Sequence, residues 1–151
     1  MNALDLLEKD HREVEKMLEE LDKTTVRGIK TRQEGLAKLK AELTVHETIE
    51  EEILYPALKE NPKSKEVALE GFEEHHVVDM VMAEIEATPV DDETWGAKFS
   101  VMKENITHHI EEEEGEMFKK ARQIFSKVEL EEMGSVMEER KESLQKLQGA
   151  A

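Results

Sequence analysis

Histidine and glutamate stand where a helical stripe calls for leucine, and they do so in matched pairs. His46 and Glu50 are four residues apart, as are His109 and Glu113. On a helix that spacing stacks two side chains one turn apart, roughly 6 Å along the axis, on one side. Imidazole nitrogen and carboxylate oxygen are ligands for iron, manganese and zinc. Two further histidines occupy the same kind of stripe: Leu4, Leu7, His11, Val14, Leu18, Leu21 and Ala68, Gly71, His75, Val78, Met82, Ile85. Four histidines and two glutamates are too many for one tetrahedral zinc. They suit a pair of metals, each taking two histidines, with both glutamates as bridges. Metal charge would also balance two carboxylates whose burial is otherwise costly.

The two halves of the chain repeat this arrangement. Asp10-His11-Arg12-Glu13-Val14 pairs with Glu74-His75-His76-Val77-Val78, an acid preceding the histidine and a valine following three later. His46-Glu47-Thr48-Ile49-Glu50-Glu51 pairs with His109-Ile110-Glu111-Glu112-Glu113-Glu114, and each runs on to a large apolar residue and an aromatic, Leu54-Tyr55 and Met117-Phe118. A single core histidine is ordinarily a hydrogen-bonded structural residue. Packing alone does not require the same offsets twice. Glu51 and Glu114 also match, but a five-residue step turns them away from the histidine, toward solvent or a supporting role behind the ligands. His76 and His108 each neighbour a ligand candidate and are rotated by about 100° from it, which again implies solvent or a supporting role. Glu111 to Glu114, apart from Glu113, reads as a solvated face.

Valine, isoleucine, threonine and aromatics are too sparse for a sheet. The periodicity predicts four long helices, at about residues 4–24, 30–59 with a bend at Pro56, 64–87 and 92–125, then a shorter one at about 126–147. Asn2, Ser64 and Asp91 or Asp92 are candidate caps, and Ser126-Lys127-Val128-Glu129 is a capping box. The second stripe reads Leu36, Leu39, Leu43, His46, Glu50, Ile53. The fourth reads Phe99, Met102, Ile106, His109, Glu113, with Glu116 or Met117 next. Trp95 is expected as a packing anchor, and Met80, Met82, Met102 and Met117 as core filler. Tyr55 and Phe118 are expected to pack under the site; a hydrogen bond from the tyrosine hydroxyl to a bridging group is the alternative. The fold class is all-α: an up-down four-helix bundle of two pseudo-repeated hairpins, residues 1–125, with a C-terminal fifth helix and frayed tail, 126–151, in the same domain.

Composition narrows the function. The 151 residues carry a formal net charge of −16, which argues against a nucleic-acid partner and against an anionic membrane surface. With no cysteine, thiolate catalysis and cysteine-ligated metal are excluded. The first residues do not form a signal peptide and no segment is apolar enough to span a bilayer, so a cytoplasmic location is expected. No nucleophile–base triad, phosphate loop or nucleotide fingerprint is present.

Asp10-His11, His46-x-x-x-Glu50-Glu51 running into Leu54-Tyr55-Pro56, Glu74-His75 and His109-x-x-x-Glu113-Glu114 together resemble the hemerythrin-like, or HHE cation-binding, domain over about residues 4–122. A ferritin-like bundle is set aside, because only Glu73-x-x-His76 has its Glu-x-x-His spacing. The resemblance implies a bundle around two iron ions joined by carboxylates and an oxo or hydroxo bridge, other divalent metals being possible. It implies His11, His46, Glu50, His75, His109 and Glu113 as ligands. It further implies a small-molecule partner, namely dioxygen, nitric oxide or peroxide; the alternative is iron handling or storage, or a sensor-adaptor role without catalysis. Oxygen-carrying members have one more histidine four residues after the third-helix histidine. Here that position is Asp79, which would either ligate as a carboxylate or leave the place to water.

Overall fold

Helix α1 (Ala3–Asp22) starts where Asn2 Oδ1 accepts a hydrogen bond from the Asp5 amide at 2.9 Å, the cap expected from the sequence. It is followed by α2 (Ile29–Ile49), a π-helical turn π1 (Glu50–Leu54) and α3 (Tyr55–Lys59), which form one continuous rod. The chain returns as α4 (Lys65–Glu86) and again as α5 (Trp95–Glu112), π2 (Glu113–Met117) and α6 (Phe118–Ile124), a second continuous rod. Helix α7 (Lys127–Ala150) closes the chain. The computed structural model describes residues 1–150. Among them no strand occurs, and the fold is a helical bundle plus a C-terminal helix. None of these helices is long and apolar enough to cross a membrane.

The caps follow local chemistry. At α7 the expected box forms: the Ser126 amide donates to Glu129 Oε1 (3.0 Å) and the Glu129 amide to Ser126 Oγ (3.1 Å). Ser64 precedes α4, but its hydroxyl donates to the Leu58 carbonyl (2.6 Å) rather than capping. Asp92 Oδ1 holds the Thr94 amide and hydroxyl in the turn before α5, so that helix begins at Trp95, later than expected. The helix of the last segment runs on to Ala150, past the expected fraying point, and Ala151 lies outside the described residues.

Both π turns sit at the glutamate ligand candidates. The Tyr55 amide donates to the Glu50 carbonyl and the Phe118 amide to the Glu113 carbonyl, each five residues back. The extra residue per turn resets the apolar register. Leu54, Tyr55 and Leu58 are buried while Ile53 is only partly so; Met117 and Phe118 are buried and Glu116 is exposed. The rod therefore changes register before Pro56, which merely opens α3. Such single-turn widenings inside α-helices are frequent at functional sites.

The core has two apolar halves. Leu4, Leu7, Ile49, Leu54, Tyr55, Met117 and Phe118 lie in one, with Leu130 and Met137 of α7. Val14, Leu18, Leu39, Leu43, Val78, Ile85, Trp95, Phe99 and Ile106 lie in the other. His11 falls between Leu7 and Val14 along α1, so the histidines form a polar layer between the halves. Trp95 is the expected anchor, 1% exposed, stacked on Phe99 and covered by the buried Arg32 guanidinium at 4.3 Å from its centroid. Met82, Met102 and Met117 fill core, but Met80 does not: it is 58% exposed, five residues from His75 and so on the outer face of α4.

Candidate metal centre

All six ligand candidates meet in the polar layer, and all are buried, Glu50 at 0% and Glu113 at 1% exposure. Their donor atoms form two quartets, each with its atoms within 4.8 Å of one another: His11, His46, Glu50 and Glu113, then Glu50, His75, His109 and Glu113. The glutamates are common to both. His46 Nε2 is 3.0 Å from Glu50 Oε1, and His11 Nε2 is 2.9 Å from Glu113 Oε1. In the other half, His75 Nε2 is 3.2 Å from Glu50 Oε1, and His109 Nε2 is 3.2 Å from Glu113 Oε2.

The outer ring nitrogens show why the repeat includes more than the ligands. Every Nδ1 faces a carboxylate of another helix: His46 that of Asp10 (3.1 Å), His109 that of Glu74 (2.9 Å), His75 that of Glu51 (2.8 Å), His11 that of Glu114 (2.6 Å). The acid before the first histidine of each hairpin holds the second histidine of that hairpin. The acid after each shared glutamate, Glu50 or Glu113, holds the histidine of the opposite hairpin. Such a partner fixes the ring so that Nε2 points inward and Nδ1–H donates outward, the usual arrangement of a metal-bound histidine. Glu51 and Glu114 therefore take the supporting role. The widened π turns let two adjacent glutamates, one pointing in and one reaching sideways, both serve the site.

Charge balance follows the same geometry. Burial pushes the His46 imidazole down, but Glu50, Asp10 and Glu113 outweigh it and hold it well above the ordinary range. His75 is raised to about 9 against burial by Glu50 and Glu51, and His109 is raised by Glu113 and Glu74. Burial alone would raise Glu113, yet the neighbouring Glu50 carboxyl and the contacts from His109 and His11 hold it well below the usual carboxylate range. These residues fit a metal. Although His46 Nε2 and Glu50 Oε1 are close, neither atom has a hydrogen-bond partner of acceptable geometry, and neither has Glu50 Oε2. Buried polar atoms are nearly always satisfied. Imidazole and carboxylate groups converging on a shared point suit a cation, which would take the place of the histidine protons.

Tyr55 does more than pack. Its hydroxyl donates to Glu113 Oε2 (2.5 Å) and lies 3.4 Å from both His75 Nε2 and His109 Nε2. Burial, then the Glu113 and Glu50 charges, push its pKa well above the ordinary tyrosine value. Phe118, the matching residue, stacks on His11 at 6.2 Å without a hydroxyl. Gly71 makes room for the tyrosine: a Cβ there would lie 2.8 Å from its ring. Asp79 is exposed and pairs with Glu47 instead of joining the histidines. His76 and His108 are also exposed, beside Glu73 and Glu112. Sequence reasoning missed Glu47, a buried carboxyl raised to about 8 by burial and by Asp79. It stands one residue past His46, where the other half has Ile110 and no parallel flags it.

A family model described as Hemerythrin HHE cation binding domain matches residues 2–121. The chain belongs to the hemerythrin HHE cation-binding domain family. Its fold is similar to the crystal structure of a Hemerythrin HHE cation binding domain-containing protein from Mycobacterium kansasii, with a TM-score of 0.85 and 24% identity over 95% of this chain and 87% of that one. A search of curated proteins by sequence finds no match.

Proposed function

We propose that this chain holds two iron ions in the two quartets and binds or reacts with dioxygen, nitric oxide or peroxide. The observation that carries the reading is the pair of buried quartets sharing Glu50 and Glu113, with the Glu50 oxygens and His46 Nε2 unpartnered. A cavity of about 20 Å³ adjoins them, lined by His11, His46, His75 and His109 together with Val14, Leu43, Val78, Ile106, Ile110 and Glu47. A water needs about 10–15 Å³, so this space suits a diatomic molecule and little more. Iron bound here would supply redox and ligand-binding capacity. The chain's own residues set the rest. The apolar wall excludes bulk water, the four carboxylates on Nδ1 fix the rings, and the Glu47 carboxyl, raised in pKa by burial, lines the cavity.

Iron handling is the second reading. A cavity of about 100 Å³, lined by Glu70, Glu74, Glu112 and Glu116, reaches His109 and Glu113 and offers cations an acidic approach. In both readings residues 1–125 and the C-terminal helix act as one domain without a nucleic-acid or membrane partner.

Anaerobic loading with Fe(II), then mixing with air or peroxide in the presence of an electron donor, tests the proposal. Two irons per chain with rapid spectral change supports the first reading. Iron uptake that exceeds two per chain and grows with turnover supports iron handling. No iron bound at all overturns both. His46→Ala and His109→Ala should each weaken one metal.

A further inference from the structure

The two quartets are alike in ligands and unlike in what lies behind them. On the His11–His46 side, both supporting carboxylates are backed by cations. Lys141 Nζ is 2.5 Å from Asp10 Oδ1, whose other oxygen holds His46, and the Arg12 guanidinium bonds the Glu114 oxygen that holds His11. On the His75–His109 side, among the described residues, no lysine or arginine pairs with Glu51 or Glu74. Glu74 instead faces a second carboxylate, Glu112, with His108 beyond. The Tyr55 hydroxyl is also on this side. Asp10 is 2% exposed and Lys141 23%, so this cation acts from partly dry surroundings, while Arg12 is 55% exposed and better screened.

The lysine comes from α7, beyond the residues the family model matches. That helix is clamped where it must be to place it. Arg140, its neighbour, makes a two-pronged pair with Glu52 (2.8 and 3.1 Å). Gly134 lies so close to the chain start that a Cβ would run into the Met1 carbonyl.

We infer that Lys141 of α7, assisted by Arg12, makes the two metal positions electrically inequivalent, so that a centre holding one Fe(II) and one Fe(III) keeps the Fe(II) on His11–His46. The inference rests on the two-iron reading. Two effects act in one direction. A nearby positive charge disfavours the more highly charged ion. A carboxylate already bonded to lysine also accepts more weakly from Nδ1–H, which leaves His46 a poorer donor to Fe(III). At the acid-flanked position both effects are reversed. Lys141 and Arg12 are positioning residues, since neither touches a ligand atom that faces the metal.

A mediated redox titration of the iron-loaded full chain, followed by electron paramagnetic resonance, tests this. Each step adds one electron from dithionite, and only the one-electron-reduced centre, an odd-electron spin pair, gives the signal. The wild type should show two separated steps and a large signal between them. Lys141→Met should lower the higher potential alone, cutting the constant for forming the mixed state at least about tenfold, about 59 mV for one electron. Lys141→Arg should restore it. Arg12→Met, a surface change on another helix, should move the same step by less. Glu112→Gln should raise the lower step. A single two-electron step in the wild type, or potentials unmoved in Lys141→Met and Arg12→Met, would overturn the inference while leaving the two-iron reading intact. Failure of the wild type to load two irons would overturn that reading itself.

Discussion

Replacing Glu47 with glutamine should stabilise the metal-free protein in alkali far more than near pH 6. The Glu47 carboxyl is raised from 4.5 to about 8, first by burial and then by Asp79 and Glu50. The folded chain therefore keeps a proton that the unfolded chain releases above 4.5. Stability then falls as pH rises between those two values, by about 1.36 kcal/mol per pH unit, or about 5 kcal/mol in all by pH 8. Glutamine does not titrate, and its amide still donates toward Asp79 as the protonated acid does. The advantage of Glu47→Gln should thus grow by about 2 kcal/mol between pH 6 and pH 8, and level off above it. Urea unfolding of chelator-treated protein, followed by circular dichroism at a series of pH values, measures it. A difference that stays constant across that range would refute the reasoning, because it would show that Glu47 ionises in the fold as it does unfolded.

Other expectations follow from the same geometry. Gly71→Ala should cost about 1–3 kcal/mol, as overpacking does. Its Cβ meets the Tyr55 ring at 2.8 Å, and ultraviolet spectra of the chain's single tyrosine should report the displaced ring. Metal binding should raise the melting temperature, because it binds the folded site; a melting curve indifferent to added Fe(II) would contradict that. Stability from His75 is present below 6.5 and is lost as pH rises through about 9, its raised folded value. Metal uptake should tighten over that same window, since the ion displaces protons from the histidines, and proton release measured on mixing would check it.

The candidate ligands were legible because the fold repeats. Histidine at the same place in two stripes, followed twice by Glu-Glu, is a pattern that a core alone does not produce, and the structure brings all six residues together. Helix existence was equally plain from the apolar period. What escaped was whatever breaks that period or lies far away in sequence. The first π turn moved Leu54 into the core, a shift of one residue that the stripe ending in Ile53 could not show, and the second settles the fourth stripe on Met117 over Glu116. The acids before His11 and His75 were visible as a match, but their work is on the opposite helix of the hairpin, which only packing reveals. Lys141, 131 residues from Asp10, had no local signal at all. Asp79 shows the limit of analogy: it has the ligand's sequence position, but the chain puts it on the exposed side beside Glu47.

The central claim is that Glu50 and Glu113 join two metal positions on one chain. Elemental analysis of the full chain, loaded anaerobically with excess Fe(II) and freed of loose metal, tests it most directly. Two irons per chain is the expected value, falling below one when Glu50 and Glu113 are both replaced by alanine. A wild-type value near zero, or a doubly substituted chain that still holds two, would contradict the account.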